Sequence, residues 1–153
     1  MKYQYNLSEI KLSYMPRFKL SDRPIVKDSR TAYEILLQHW DAGKMLLLEE
    51  FKIILLNNAS RVLGIVNIAQ GGITSVSVDL QIMFATTLKA NASSIIMAHN
   101  HPSGTLKPST QDILLTDKVR AAASIFGIRI LDHLIITPES YFSFLDDGLM
   151  EES

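Results

Sequence analysis

The feature that most restricts the fold of this chain is a pair of histidines at the end of a short apolar run. Ser93–Ala98 reads as a buried strand, and His99-Asn100-His101-Pro102-Ser103-Gly104 follows it directly. Proline and glycine there bar regular structure from continuing far. In an extended chain the side chains at i and i+2 point the same way, so His99 and His101 converge. Strand ends are also where sites gather in sheets that carry helices on their faces. Asp112 follows in the first turn of the next expected helix, after a loop holding Pro102, Gly104 and Pro108 that can fold back. Two nitrogens and one oxygen make three protein ligands, the number a catalytic zinc keeps while leaving a fourth position for water. Zinc lowers the pKa of that water to about 7, so hydroxide is available at neutral pH. These residues also have plainer readings. Ser109-x-x-Asp112 is a capping-box pattern, and a histidine in a loop is usually only a surface residue.

The chain has no cysteine, which excludes disulfides, thiolate metal sites and a cysteine nucleophile. Any metal must be held by His, Asp, Glu or backbone oxygen. With 153 residues, 47% hydrophobic and 20% charged, the chain is long and apolar enough for one domain with a real core. The formal net charge is −1 and the pI about 6.4. No global field draws such a protein to nucleic acid or an anionic membrane, although a local basic patch is compatible with that balance. The N-terminal stretch MKYQYNLSEIKLSY lacks the apolar core of a secretory signal. The longest apolar runs, such as Met45–Leu48 and Ile53–Leu56, are too short to span a bilayer. The expectation is a cytoplasmic protein.

The pattern along the chain predicts an α/β fold. Residues 1–28 read as an extended arm, with a short strand where Ile10, Leu12 and Tyr14 alternate. A helix is expected over 29–41, capped by Ser29 and ended by Gly43. A strand is expected over 44–57, turned by Asn57-Asn58-Ala59-Ser60 into a second strand over 62–68. Gly71-Gly72 marks a break. Ser77 or Asp79 opens a helix to about Ala90, Ser93–Ala98 is the next strand, and Pro108-Ser109 opens a helix to about Ile125, closed by Gly127. Ile128–Ile136 and Tyr141–Phe144 complete the series. The order β-β-α-β-α-β implies a mixed β-sheet flanked by helices.

The stretch MAHNHPSGTLKPSTQD, with ILDHLIIT later, resembles the RadC-like branch of the JAB/MPN superfamily, whose JAMM motif is an upstream Glu, His-x-His, ten residues and Asp. The resemblance covers roughly residues 29–147, which would be the domain, with a tail over 148–153. It implies the three-layer, cytidine-deaminase-like JAB/MPN architecture and one zinc per chain on His99, His101 and Asp112. It implies a zinc-dependent hydrolase cutting a peptide or isopeptide bond in a peptide or protein substrate. The family Ser falls on Ser109, a donor to the developing oxyanion. The upstream Glu, a general base, falls on Glu49 or Glu50. The family spacing to the aromatic Phe51 favours Glu49, and strand alternation lets only one of the two reach the site.

Other titratable residues carry less. His133, within an apolar strand, reads as a core or metal-supporting histidine rather than a fourth ligand. Asp132 is ambiguous, and His39 beside Trp40 reads as structural. RadC-like proteins commonly carry a helix-hairpin-helix region, and residues 1–28 contain no glycine for its turns. That weakens the link to DNA repair, but two other functions stand beside hydrolysis. One is a DNA-repair-associated module with a nucleic-acid-binding or nuclease role. The other is a non-catalytic scaffold with a closed zinc site.

Overall fold

Alternation along the strands builds two cores, one on each face of a single sheet. The computed structural model describes residues 6–11, 13, 15–71 and 77–153. Strand β1 (Glu50–Leu56) is buried along its whole length, as is β3 (Ser94–Asn100). Phe51, Ile53, Leu55, Ile95 and Met97 face one core, and Ile54, Leu56, Ile96 and Ala98 face the other. A strand apolar on both faces must lie inside a sheet covered on both sides. The remaining strands are β2 (Val62–Gln70), β4 (Arg129–Ile136) and β5 (Tyr141–Ser143), and the order across the sheet is β2-β1-β3-β4-β5. The β3–β4 pair is parallel and the other pairs are antiparallel. The result is a mixed five-stranded sheet between helical layers, as the sequence pattern predicts.

Helix α1 (Ser29–Gln38) covers the face of Ile54 and Ile96 with Ala32, Ile35 and Leu36. Helices α2 (Leu80–Lys89) and α3 (Thr110–Ile125) cover the other face with Met83, Phe84, Val119 and Ala123. The α3 helix ends at a left-handed glycine, Gly127 at φ 67°, where Ile128 N–H returns to the Ala123 carbonyl. Residues 24–26 of the expected arm are tied to the β1–β2 turn: Val26 N–H bonds the Ser60 carbonyl and Val62 N–H the Pro24 carbonyl.

Several boundaries differ from the sequence reading. The strand expected from residue 44 begins only at Glu50, and residues 42–47 form a turn. There Leu47 and Leu48 N–H both bond the Lys44 carbonyl, while the buried Asn100 side chain takes the carbonyls of Met45 and Leu48. Met45 alone of that apolar run is buried, and Leu46 and Leu47 are exposed. The cap of α1 is Asp28, which accepts Thr31 N–H; Ser29 is the first helical residue, and its hydroxyl meets the Tyr141 hydroxyl. The helix ends at Gln38, before Gly43. Asp79, not Ser77, caps α2. Ile10 lies outside any strand, and Leu12, Tyr14 and Gly72 fall outside the described residues. Among the described residues no helix is long and apolar enough to cross a membrane.

Candidate metal centre

The central strand delivers the first histidine. His99 pairs with Phe51 of β1 on one side and Ile135 of β4 on the other. Its parity is that of Met97, so its side chain emerges on the α2/α3 face and is 1% exposed. His101 lies just beyond the strand, and its Nδ1 bonds the Thr105 carbonyl at 2.7 Å. A carbonyl only accepts, so Nδ1 carries a proton and Nε2 is the nitrogen turned to Asp112 and left to bind an ion. Ser109 caps α3 by accepting Asp112 N–H at 3.1 Å, and the Asp112 carboxylate accepts Ser109 N–H at 2.7 Å. The capping box expected from sequence is therefore present, and it holds Asp112 toward the histidines.

Three side chains meet there. His99 Nε2 and His101 Nε2 are 3.0 Å apart, Asp112 Oδ1 lies 3.2 Å from His99 Nε2, and Asp112 Oδ2 lies 3.5 Å from His101 Nε2. Ligands at about 2.0–2.1 Å from a tetrahedral zinc stand about 3.3 Å from one another. Each of the three contacts is near that length, and two imidazole nitrogens held this close want a cation or a proton between them. Glu49 joins the two histidines in a group whose ligand atoms lie within 4.8 Å of one another, and which could hold a metal ion. Asp112 is not part of that group, but it lies against both histidines.

The adjacent glutamates separate as alternation requires. Glu49 faces the cleft with His99, while Glu50 is buried on the α1 side, 3.9 Å from Lys52, whose ammonium lies over the Trp40 ring. Asn100, pointing away from His99, holds the Glu49 segment: its Oδ1 accepts Glu50 N–H and its Nδ2 donates to the Leu48 carbonyl. Gly71 N–H bonds the Glu49 carbonyl from the end of β2. Glu49, Phe51, His99, His101, Ser109 and Asp112 line one open cleft of about 820 Å³.

The electrostatics follow from this packing. Burial raises the Glu49 carboxyl above its ordinary value, opposed by the two histidines. Burial alone would raise Asp112 too, but its contacts with His101 and His99 outweigh it and hold that carboxyl well below the usual carboxylate range. The Asp112 carboxylate beside it raises His101, against the effect of burial.

His133 is fully buried, and burial lowers it well below its ordinary value. Its Nε2 lies 2.8 Å from His99 Nδ1, the ring nitrogen that points away from Asp112. It therefore supports His99 from behind and is not a fourth ligand. Its Nδ1 meets Thr116 Oγ1 at 2.7 Å. Thr116 was not singled out from sequence, although i+4 spacing from Asp112 sets both on one face of a helix. Asp132 accepts the N–H groups of His133 and Leu145 and the Ser143 hydroxyl, which gives it a structural place. His39 bonds the Ile35 carbonyl within its own helix.

Comparison with known proteins gives the family of the chain. The profile of the RadC-like JAB domain matches residues 26–149. A UPF0758 protein of Porphyromonas gingivalis is 39% identical over 137 residues, covering 89% of this chain and 59% of the relative. One from Flavobacterium johnsoniae is 43% identical over 101 residues, covering 66% of this chain and 44% of the relative. One from Moorella thermoacetica is 36% identical over 133 residues, covering 87% and 56%. The chain thus spans about half the length of the curated relatives it matches. On a profile match that takes in both histidines, Asp112 and the whole sheet, the chain belongs to the RadC-like JAB domain family.

Proposed function

We propose that this domain is a zinc-dependent hydrolase acting on an amide bond, of peptide or isopeptide type, in a peptide or protein substrate. The observation that carries the reading is the convergence of His99, His101 and Asp112, with a buried carboxylate, Glu49, grouped with the two histidines in the same cleft. His99, His101 and Asp112 would hold one zinc per chain. When bound, such an ion supplies Lewis-acid chemistry, acidifying water and polarising a carbonyl. Glu49 takes up the proton from the attacking water and returns it to the leaving nitrogen; its raised pKa suits both halves of that transfer. Glu50, paired with Lys52 on the opposite face, takes no part. Ser109 Oγ accepts Asp112 N–H through a lone pair, which leaves its own proton to donate to the oxyanion that develops on the substrate.

The test is metal content per chain, measured on protein purified without added metal. Wild type should carry about one zinc, and the His99→Ala, His101→Ala double variant none. Glu49→Gln should keep the metal and lose hydrolysis of amide-linked peptides, while Glu50→Gln should keep both. Wild type that stays metal-free after zinc is supplied would refute the proposal.

A further inference from the structure

A chain of hydrogen bonds runs behind the candidate metal centre and links two of its residues through two that touch no metal position. Thr116 Oγ1 donates to the Asp112 carbonyl at 2.7 Å, the i−4 back-bond open to a helical threonine. A hydroxyl has one proton, and a carbonyl can only accept it. The contact between Thr116 Oγ1 and His133 Nδ1, at 2.7 Å, must then be donated by the ring. His133 is fully buried between Phe51 and Phe144, with its ring stacked on Phe144 at 4.7 Å, and among the described residues no carboxylate hydrogen-bonds its ring. A neutral ring with its proton on Nδ1 presents a lone pair at Nε2. That lone pair accepts His99 Nδ1–H across 2.8 Å. His99 is left with its own lone pair on Nε2, the nitrogen that faces His101 and Asp112.

We infer that Thr116 and His133 are positioning residues that set the tautomer of His99. They fix its lone pair on the nitrogen that faces the metal position. The inference rests on the reading of His99 as a ligand. The direction of the chain matters. Were Thr116 to give its proton to His133 instead, each donor would reverse. His99 would then carry a proton on Nε2, where the ion should sit. The back-bond to Asp112 opposes that reversal, and it ties the sheet ligand to the backbone of the helix ligand. Metal-bound histidines are commonly oriented by a carboxylate or carbonyl on the remote nitrogen. Here a second histidine occupies that place, and the carbonyl lies two links away.

The experiment titrates zinc alone, against a competing chelator, into the metal-free protein. Thr116→Val keeps the side-chain volume and removes the hydroxyl; Thr116→Ser restores it. The Val variant should bind zinc 10–100-fold more weakly than wild type, the range typical for lost outer partners of metal ligands, and the Ser variant within about threefold of it. Thermal melts of the metal-free proteins establish that each is folded. A Val variant with wild-type affinity would overturn the inference while leaving the metal reading intact; wild type that takes up no zinc overturns both. Nitrogen-15 spectra of the imidazoles in zinc-loaded wild type decide the matter without any variant. Protons on Nδ1 of both His99 and His133 support the relay, and a proton on Nε2 of His133 refutes it.

Discussion

Replacing Asn100 by alanine tests how the Glu49 segment is held. Asn100 is completely buried between the two histidines, with its side chain on the opposite face of β3. Its Oδ1 accepts Glu50 N–H at 2.7 Å, and its Nδ2 donates to the Met45 carbonyl at 2.6 Å and the Leu48 carbonyl at 2.9 Å. Alanine leaves those backbone groups without a partner. A buried polar group stripped of its hydrogen bond costs about 1–3 kcal/mol. The bonds to Glu50 and Met45 are fully buried and that to Leu48 only partly, so the expected loss is about 3–5 kcal/mol. For a domain of this size each kcal/mol lowers Tm by about 2–4 °C, so the melting point should fall by about 10 °C. Asn100→Asp keeps the acceptor for Glu50 and sets a carboxylate against two carbonyls, so it should be no more stable than alanine. Urea unfolding with an unchanged m-value is the assay. A midpoint within 0.2 M of wild type for Asn100→Ala would show that the turn over residues 42–47 does not depend on this side chain.

Four other outcomes are expected. Ser109→Ala removes the α3 cap and should cost about 1 kcal/mol of stability; if Ser109 also serves the oxyanion, turnover falls by about 10²–10³ in addition, which a cap alone does not explain. Because Asp112 raises His101 above its ordinary value, zinc must displace a proton there. Zinc affinity should therefore rise with pH through and beyond 6.5, and calorimetry in buffers of different ionisation enthalpy should show proton release near pH 7. Burial raises Asp132 above 3.8, so the folded state holds that proton longer than the unfolded one, and stability falls as pH rises from about 3.8 through the raised value; Asp132→Asn should lack that fall, which then appears in the difference between the wild-type and variant stability curves. Met97→Ala, deep in the core under α2 and α3, should cost about 2–5 kcal/mol by denaturant unfolding, and a loss under 1 kcal/mol would mean the site refills.

Some of this molecule was legible in its sequence for clear reasons. His99, Asp112 and Ser109 were found because their placement depends on local rules, a strand end and a helix cap, that act within a few residues. Glu49 could be separated from Glu50 because alternation is local too. The turn over 42–47 was not legible. Its apolar residues look like strand, and what makes it a turn is the side chain of Asn100, far away in sequence and adjacent only once β1 and β3 pair. The role of His133 had the same obstacle: an apolar strand shows that a histidine is buried, but not that its partner is the back of another histidine. The cap of α1 was misplaced by one residue because Asp28 and Ser29 are both good caps, and Tyr141, over a hundred residues later, engages the serine hydroxyl.

The residues around the candidate ion differ in what restrains them. His99 sits mid-sheet, locked by ladders on both sides, whereas His101 lies past the strand end and Asp112 in the opening turn of α3. An ion gripped by all three would act as a rivet between the most rigid strand and the most easily frayed end of a helix. Stripping the metal should then leave amide exchange in β3 almost untouched and quicken it at Gly104 and Ile113, whose N–H groups bond the His101 and Ser109 carbonyls. With such an ion the sheet would keep one coordinate fixed, and occupancy would set the order of the loop between His101 and Ser109.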